Sequence, residues 1–177
     1  MLALRRALPA EDRSQQAARA CARVVALPEF ERAGRVAVHH AIGAELSVAS
    51  VAAAALERGK PLLWPRVYRA GRIELAEGSA ADLVPDCAGV LAPPTSHAPV
   101  ALAAGDLIVI PGLAFTRDGA RLGRGGGHYD RLLADARGVA ITVGVAFDIQ
   151  LVRELPWEPH DQRVDVVAMP SEIWRTK

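Results

Sequence analysis

Two apolar, β-branched runs, DLIVIPG (106–112) and GVAITVGVAF (138–147), do most to limit what this chain can fold into. A segment with helical spacing, 127–137, lies between them. Runs that are apolar at successive positions suit strands buried on both faces, and buried strands joined through a helix lie parallel. Earlier stretches repeat the alternation. Residues 10–27 place Glu11 and Asp12 in a first helical turn, where the helix dipole favours acids. Ala17, Cys21, Val24 and Val25 follow at helical spacing, and Pro28 stops the helix. RVAVHH (35–40) reads as a short buried strand and PLLW (61–64) as another. Residues 47–59 read as a helix, with Ser47 as N-cap and Gly59 just past its end. A hairpin over 67–77 turns at Ala70 and Gly71. Residues 78–104 read as mostly loop, 149–155 as a short helix and 164–170 as a last strand. The pattern predicts an α/β fold with a largely parallel sheet, helices on both faces, and one domain spanning 1–177.

Charge and composition exclude several classes. The formal net charge is +1, so no strong global field draws the chain to nucleic acid or to an anionic membrane. No run is long enough to span a bilayer, and the N-terminus lacks an apolar core followed by a cleavage site. A cytoplasmic, monomeric protein acting on a small molecule is therefore expected. Cys21 and Cys87 are too few for a disulfide framework and read as small buried hydrophobes. Of the 21 basic residues only Lys60 and Lys177 are lysines. That bias reflects either an arginine-rich coding composition or a need for bidentate anion binding.

The segment RLGRGGGHYDRLL (121–133) follows the strand DLIVIPG. It lies at the carboxyl end of that strand, where open α/β sheets bind ligands. It matches neither the P-loop nor the dinucleotide fingerprint, which would need a glycine where His128 stands. The protein-kinase glycine loop fails at the same residue. The physics of anion binding survives these exclusions. Gly123, Gly125, Gly126 and Gly127 let backbone N–H groups converge on an anion. The helix starting near Gly127 adds its positive end, and Arg121 and Arg124 add donors. Asp130 is either a first-turn acid serving the helix dipole or a Mg²⁺ ligand beside bound phosphates.

This segment resembles the signature R-L-G-x-G-x-G-Y-Y-D-R of the 5-formyltetrahydrofolate cyclo-ligase family, also called 5,10-methenyltetrahydrofolate synthetase. The preceding IPGLAF is similar to that family's strand end P-G-x-x-F. AEDR of the first helix, Glu45 in HHAIGAEL and EPHDQRVDVV (158–167) resemble three further family segments in the same order. The resemblance implies the three-layer α/β/α fold shared with ribose-5-phosphate isomerase and CoA transferases. It also implies ATP and Mg²⁺ as cofactors. Arg121, Leu122, Gly123, Arg124, Gly125, Gly126, Gly127, His128 and Tyr129 would bind ATP, with Arg124, Gly126 and His128 in the catalytic role. Residues Arg124 to His128 would also lie near the formyl-folate, with Glu45 on the pterin and His40 beside it. Asp130 and Asp165 would hold the Mg²⁺.

The reaction so implied turns 5-formyltetrahydrofolate and ATP into 5,10-methenyltetrahydrofolate, ADP and phosphate. It asks for positioning and charge neutralisation rather than a nucleophilic triad. His128 stands where the family more often has tyrosine, and keeps a planar ring with a donor. The family's opening K-x-x-L-R segment would fall before Met1, which leaves Arg5 and Arg6 as the nearest basic residues. The alternative is a non-catalytic nucleotide or folate binder that lacks this segment. Without the resemblance, Glu45 also reads as a plain loop acid, and His160 with Asp161 as a solvated turn.

Overall fold

A computed structural model of the chain describes all residues except 69–71, 88, 157, 159, 160 and 177. The helices are α1 (Leu2–Ala7), α2 (Ala10–Val25), α3 (Pro28–Arg32), α4 (Ala49–Glu57) and α5 (His128–Ala136). In the first half of the chain the strands are β1 (Val36–Ala37), β2 (Leu62–Val67), β3 (Ile73–Glu77), β4 (Val84–Pro85), β5 (Leu91–Ala92) and β6 (Pro99–Val100). In the second half they are β7 (Leu107–Pro111), β8 (Ala114–Phe115), β9 (Arg121–Leu122), β10 (Ile141–Val145), β11 (Val166–Ala168) and β12 (Ile173–Arg175).

The main sheet runs β12-β11-β10-β7-β1-β2-β3-β6. Its five central strands, β11 to β2, are parallel, and β12, β3 and β6 add antiparallel edges. The expected largely parallel sheet is therefore present. Period-two alternation explains how it is covered. Leu107 and Val109 of β7 face one side, against Cys21 and Val24 of α2 and Val51 and Ala55 of α4. Ile108 and Ile110 face the other, against Leu132, Leu133 and Ala136 of α5. Three layers result, and β7 is buried on both faces as its sequence predicts.

Phe115 fixes the exit from β7. Its ring is fully buried and presses against Gly112 and Gly144, where a Cβ would stand only 2.6 and 2.4 Å from ring carbons. The absence of side chains there makes room for the ring, which folds the chain back at the end of β7 into the β8–β9 hairpin. That hairpin sets the start of the glycine loop.

Several elements differ from their sequence reading. The region before residue 10 forms a separate helix, α1, because Leu8 and Pro9 are extended. Pro28 opens α3 at its N-terminal turn as well as following α2. The expected loop 78–104 carries the β4–β5 ribbon and β6. The expected helix 149–155 is only a 3₁₀ turn at Asp148–Gln150. Pieces of two or three residues show no periodicity, so sequence pattern misses them. The hairpin strands pair Val67 with Ile73, and the expected turn residues Ala70 and Gly71 lie outside the described residues. Among the described residues no helix is long and apolar enough to cross a membrane.

The cysteines also separate. Cys21 is buried in the core as expected, and burial pushes its thiol up to about 11. Cys87 overturns its expectation: it is exposed on the loop beside Asp86. Thiolate is the reactive form. At pH 8 a thiol-specific chromogen should titrate one cysteine in the native protein and two after unfolding, with Cys87→Ser removing the native signal. Phe115→Ala should lower unfolding free energy by about 3–5 kcal/mol, measured in urea, because it empties a fully buried ring site.

Candidate active site

The chain moves outward from the centre of the sheet in two directions. β1 leads to β2 on one side, while β7 leads to β10 and β11 on the other. The crevice above the carboxyl ends of β1 and β7 is therefore a topological switch point, where such sheets bind ligands. A cavity of about 440 Å³ occupies it, within the usual range for small-molecule sites. His39 and His40 enter it after β1, and Pro111, Gly112 and Leu113 after β7.

The floor beside β7 is held by side-chain donors. Arg121 Nη1 donates to the Pro111 carbonyl at 3.4 Å and Arg5 Nη1 to the Gly112 carbonyl at 3.2 Å. Gln150 Nε2 donates to the carbonyls of Gly112 and Leu113, at 2.8 and 3.1 Å. Gln150 is itself fully buried, and its Oε1 accepts from the Phe147 N–H.

The glycine loop forms the opposite wall. Gly127 caps α5 with φ of +63°, a left-handed conformation that glycine adopts without a steric penalty. A Cβ on Gly126 would meet the His128 ring at 2.5 Å, so glycine is what lets that ring fold back over the loop. α5 then points its N-terminal end into the cavity, through His128, Tyr129 and Asp130. Tyr129 is half-buried, and desolvation pushes its phenol well above its ordinary value, with the Glu45 charge adding to the effect.

Two ion pairs divide the charges of the site. Arg121 and Asp130 pair at 2.6 Å, with side chains 3% and 17% exposed. This pair is largely enclosed, and the guanidinium lies 5.7 Å from the Tyr129 ring centre. Arg124 and Glu45 also pair at 2.6 Å, but Arg124 is half exposed. Glu45 accepts the Ile42 N–H on its other oxygen, at 2.9 Å. His39 is buried beneath this corner, and desolvation pushes its imidazole pKa down.

A fold, a switch-point cavity and this donor set already narrow the possibilities, and comparison with known proteins narrows them further. The sequence profile of the 5-formyltetrahydrofolate cyclo-ligase family matches residues 1–170. The chain belongs to that family. The 5-formyltetrahydrofolate cyclo-ligase of Escherichia coli K12 is 32% identical over 96% of this chain and 96% of its own length. That of Mycolicibacterium smegmatis is 39% identical over a shorter stretch, 63% of this chain and 52% of the relative. Among solved structures, the 5,10-methenyltetrahydrofolate synthetase of Aquifex aeolicus superposes with a TM-score of 0.85 at 31% identity, over 99% of this chain and 89% of that one. The Mycoplasma pneumoniae synthetase, at 21% identity and a TM-score of 0.73, shares the fold.

The cyclo-ligase signature is thus set around one cavity. His40, Glu45, Arg121, Gly123 and Arg124 line it, as do Gly126 to Asp130. Leu122 is partly exposed on β9, and neither it nor Gly125 lines the cavity.

Asp165 corrects the sequence reading. It precedes β11, and its carboxylate accepts from the Thr142 N–H at 2.8 Å and hydroxyl at 2.7 Å. Thr142 pairs with Ile108, three residues before Pro111, so Asp165 stands about 10 Å back along the strands and two strands across. It anchors the amino end of β10, at the far edge of the sheet from Asp130. The two do not fit one shared ion. Asp130 by itself does fit the usual Mg²⁺ arrangement, in which one or two carboxylates supplement substrate phosphates. His160 lies outside the described residues.

Sequence reasoning did not find Gln150, and it named Arg5 only as one of the basic residues nearest the family's opening segment. Neither belongs to a motif. Their contacts run across 38 and 107 residues to Gly112 and leave no local signal. Removing Arg121 strands a mostly enclosed carboxylate. Arg121→Met should destabilise the protein by about 2–4 kcal/mol in urea unfolding, and Arg121→Met with Asp130→Leu should recover at least half of that loss.

Proposed function

We propose that this chain converts 5-formyltetrahydrofolate and ATP into 5,10-methenyltetrahydrofolate, ADP and phosphate, working as one domain. The observation that carries the reading is that a donor-rich glycine loop and an acidic acceptor meet in one cavity: Arg124 on one wall and Glu45 on the other. The names of relatives matched over nearly the whole chain weigh in the same direction, against a non-catalytic binder.

The chemistry explains why such a site needs no nucleophilic side chain. The formyl oxygen attacks the γ-phosphorus, the bridging P–O bond breaks, and ADP leaves. The N10 lone pair then attacks the activated formyl carbon, N10 loses its proton, and the C–O bond breaks to release phosphate. The protein must hold formyl oxygen, γ-phosphate and N10 in line and neutralise charge as it moves.

The residues divide that work. Gly123 to Gly127 and the first turn of α5 direct N–H groups at the phosphates, where the helix dipole also favours negative charge. Arg124 is half exposed and on a short tether, so it leaves Glu45 to grip the transferring phosphoryl group. Glu45, released, accepts N–H donors of the pterin, with His40 beside it. His128 covers the loop and donates to the phosphoryl group. The Arg121–Asp130 pair keeps α5 seated and presents Asp130 to the nucleotide. Asp130 would hold a magnesium ion bound with the triphosphate, and that ion would supply charge neutralisation there. Balanced net charge and two soluble metabolites as substrates support a cytoplasmic monomer with no nucleic-acid partner.

Mixing the purified protein with ATP, Mg²⁺ and 5-formyltetrahydrofolate should generate the near-ultraviolet absorbance of the methenyl product, and its absence rejects the reading. Arg124→Ala should lower kcat/KM by roughly 10²–10³-fold with little change in thermal stability, since it deletes one charged donor from the transferring group.

A further inference from the structure

α1 is packed inside out. Its apolar Leu2 and Leu4 face solvent, at 41% and 56% exposure, while its one buried residue is Arg5, at 2%. A helix normally docks through its apolar stripe. Here it docks through a cation.

That cation has no carboxylate of its own. Arg5 Nη1 donates to the Gly112 carbonyl at 3.2 Å, but no acidic group lies within ion-pair distance among the described residues. Its buried Nε has no hydrogen-bond partner. Desolvation lowers the Arg5 pKa, and the charges it feels most are Glu45, then Arg124 and Arg6. A buried, unpaired charge is costly unless something nearby uses it. Glu45 is the candidate user. It is held in a corner with Arg124, His39 and Tyr129, and its one close cation is Arg124.

We propose that Arg5 is a positioning residue that takes over Glu45. While the cavity is empty, Arg124 holds the carboxylate. When a nucleotide's phosphates draw Arg124 away, Glu45 would be left enclosed without a counter-charge. Arg5, bonded to the Gly112 carbonyl, then supplies it and keeps Glu45 aimed at the pterin donors. The inference rests on the function proposed above, with Arg124 serving phosphate and Glu45 serving folate. It adds that the two ligands are coupled through a single carboxylate passed between two arginines. By linkage, each ligand then strengthens the other's binding by the same factor.

Calorimetric titration of 5-formyltetrahydrofolate, with and without a non-hydrolysable ATP analogue, tests this without needing turnover. Arg5→Gln keeps a donor for the Gly112 carbonyl but removes the charge, and Arg5→Lys keeps the charge. With the analogue bound, Arg5→Gln should weaken folate binding about tenfold and Arg5→Lys less than about threefold, a coupling within the range for residues in one charged network. Without the analogue, the Arg5→Gln loss should shrink to about twofold, because Arg124 still serves Glu45. In a Glu45→Gln background, Arg5→Gln should add almost nothing. Equal losses with and without the analogue, or full additivity with Glu45→Gln, overturn the proposal and leave Arg5 as an ordinary anchor of α1. If Arg5→Gln fails to fold, Arg5→Lys decides alone: a tenfold loss in it, with the analogue bound, overturns the proposal equally. A wild-type protein that binds no folate at all instead rejects the function proposed above.

Discussion

The turn that ends β7 is the constraint on which the site depends. Three successive carbonyls, at Pro111, Gly112 and Leu113, are bonded by the side chains of Arg121, Arg5 and Gln150. Each of the three acceptors is therefore engaged by a side-chain donor. Phe115 locks the same turn by filling the space left at Gly112 and Gly144. Each clamp comes from a different part of the chain, so the turn forms only when the three layers have assembled. A ligand site on such a turn is preorganised, which spares ordering cost at the moment of binding.

Charge in the cavity is divided between a fixed part and a mobile part. Arg121 and Asp130 are enclosed, and Tyr129 lies alongside. That pair holds the start of α5 and hence the direction of its free N–H groups. Arg124 reaches Glu45 across the mouth from a loop rich in glycine. Its exposure means that solvent screens the pair and little energy opposes its exchange for a phosphate. The first pair is thus largely enclosed and the second open to solvent at its arginine.

Much of this was legible before folding was considered. The apolar run of β7 is continuous because both its faces are covered, and the run of β10 is equally plain. The position of the glycine loop after a β7-type strand put it at the carboxyl edge, where it lines the cavity. The signature around Arg121 to Asp130 carried the family. Other features had no such mark. β4, β5, β6, β8 and β9 are too short for periodicity and exist because a neighbour offers hydrogen-bonding groups. Cys87 looked like a core residue because composition cannot tell which side of a loop faces out. Asp165 sits in a segment resembling the family's, yet its distance from Asp130 depends on where β11 falls relative to β7.

The sequence by itself determined the layers, the parallel core and the glycine loop at the carboxyl edge, because these follow from local periodicity and from backbone freedom at particular residues. Tertiary structure alone decided which charges face each other. Arg124 finds Glu45 across 79 residues, Arg5 finds Gly112 across 107, and Asp165 is taken by Thr142 instead of joining Asp130. Electrostatic partnership depends on distance and burial in three dimensions, and those quantities have no value until the strands are in register.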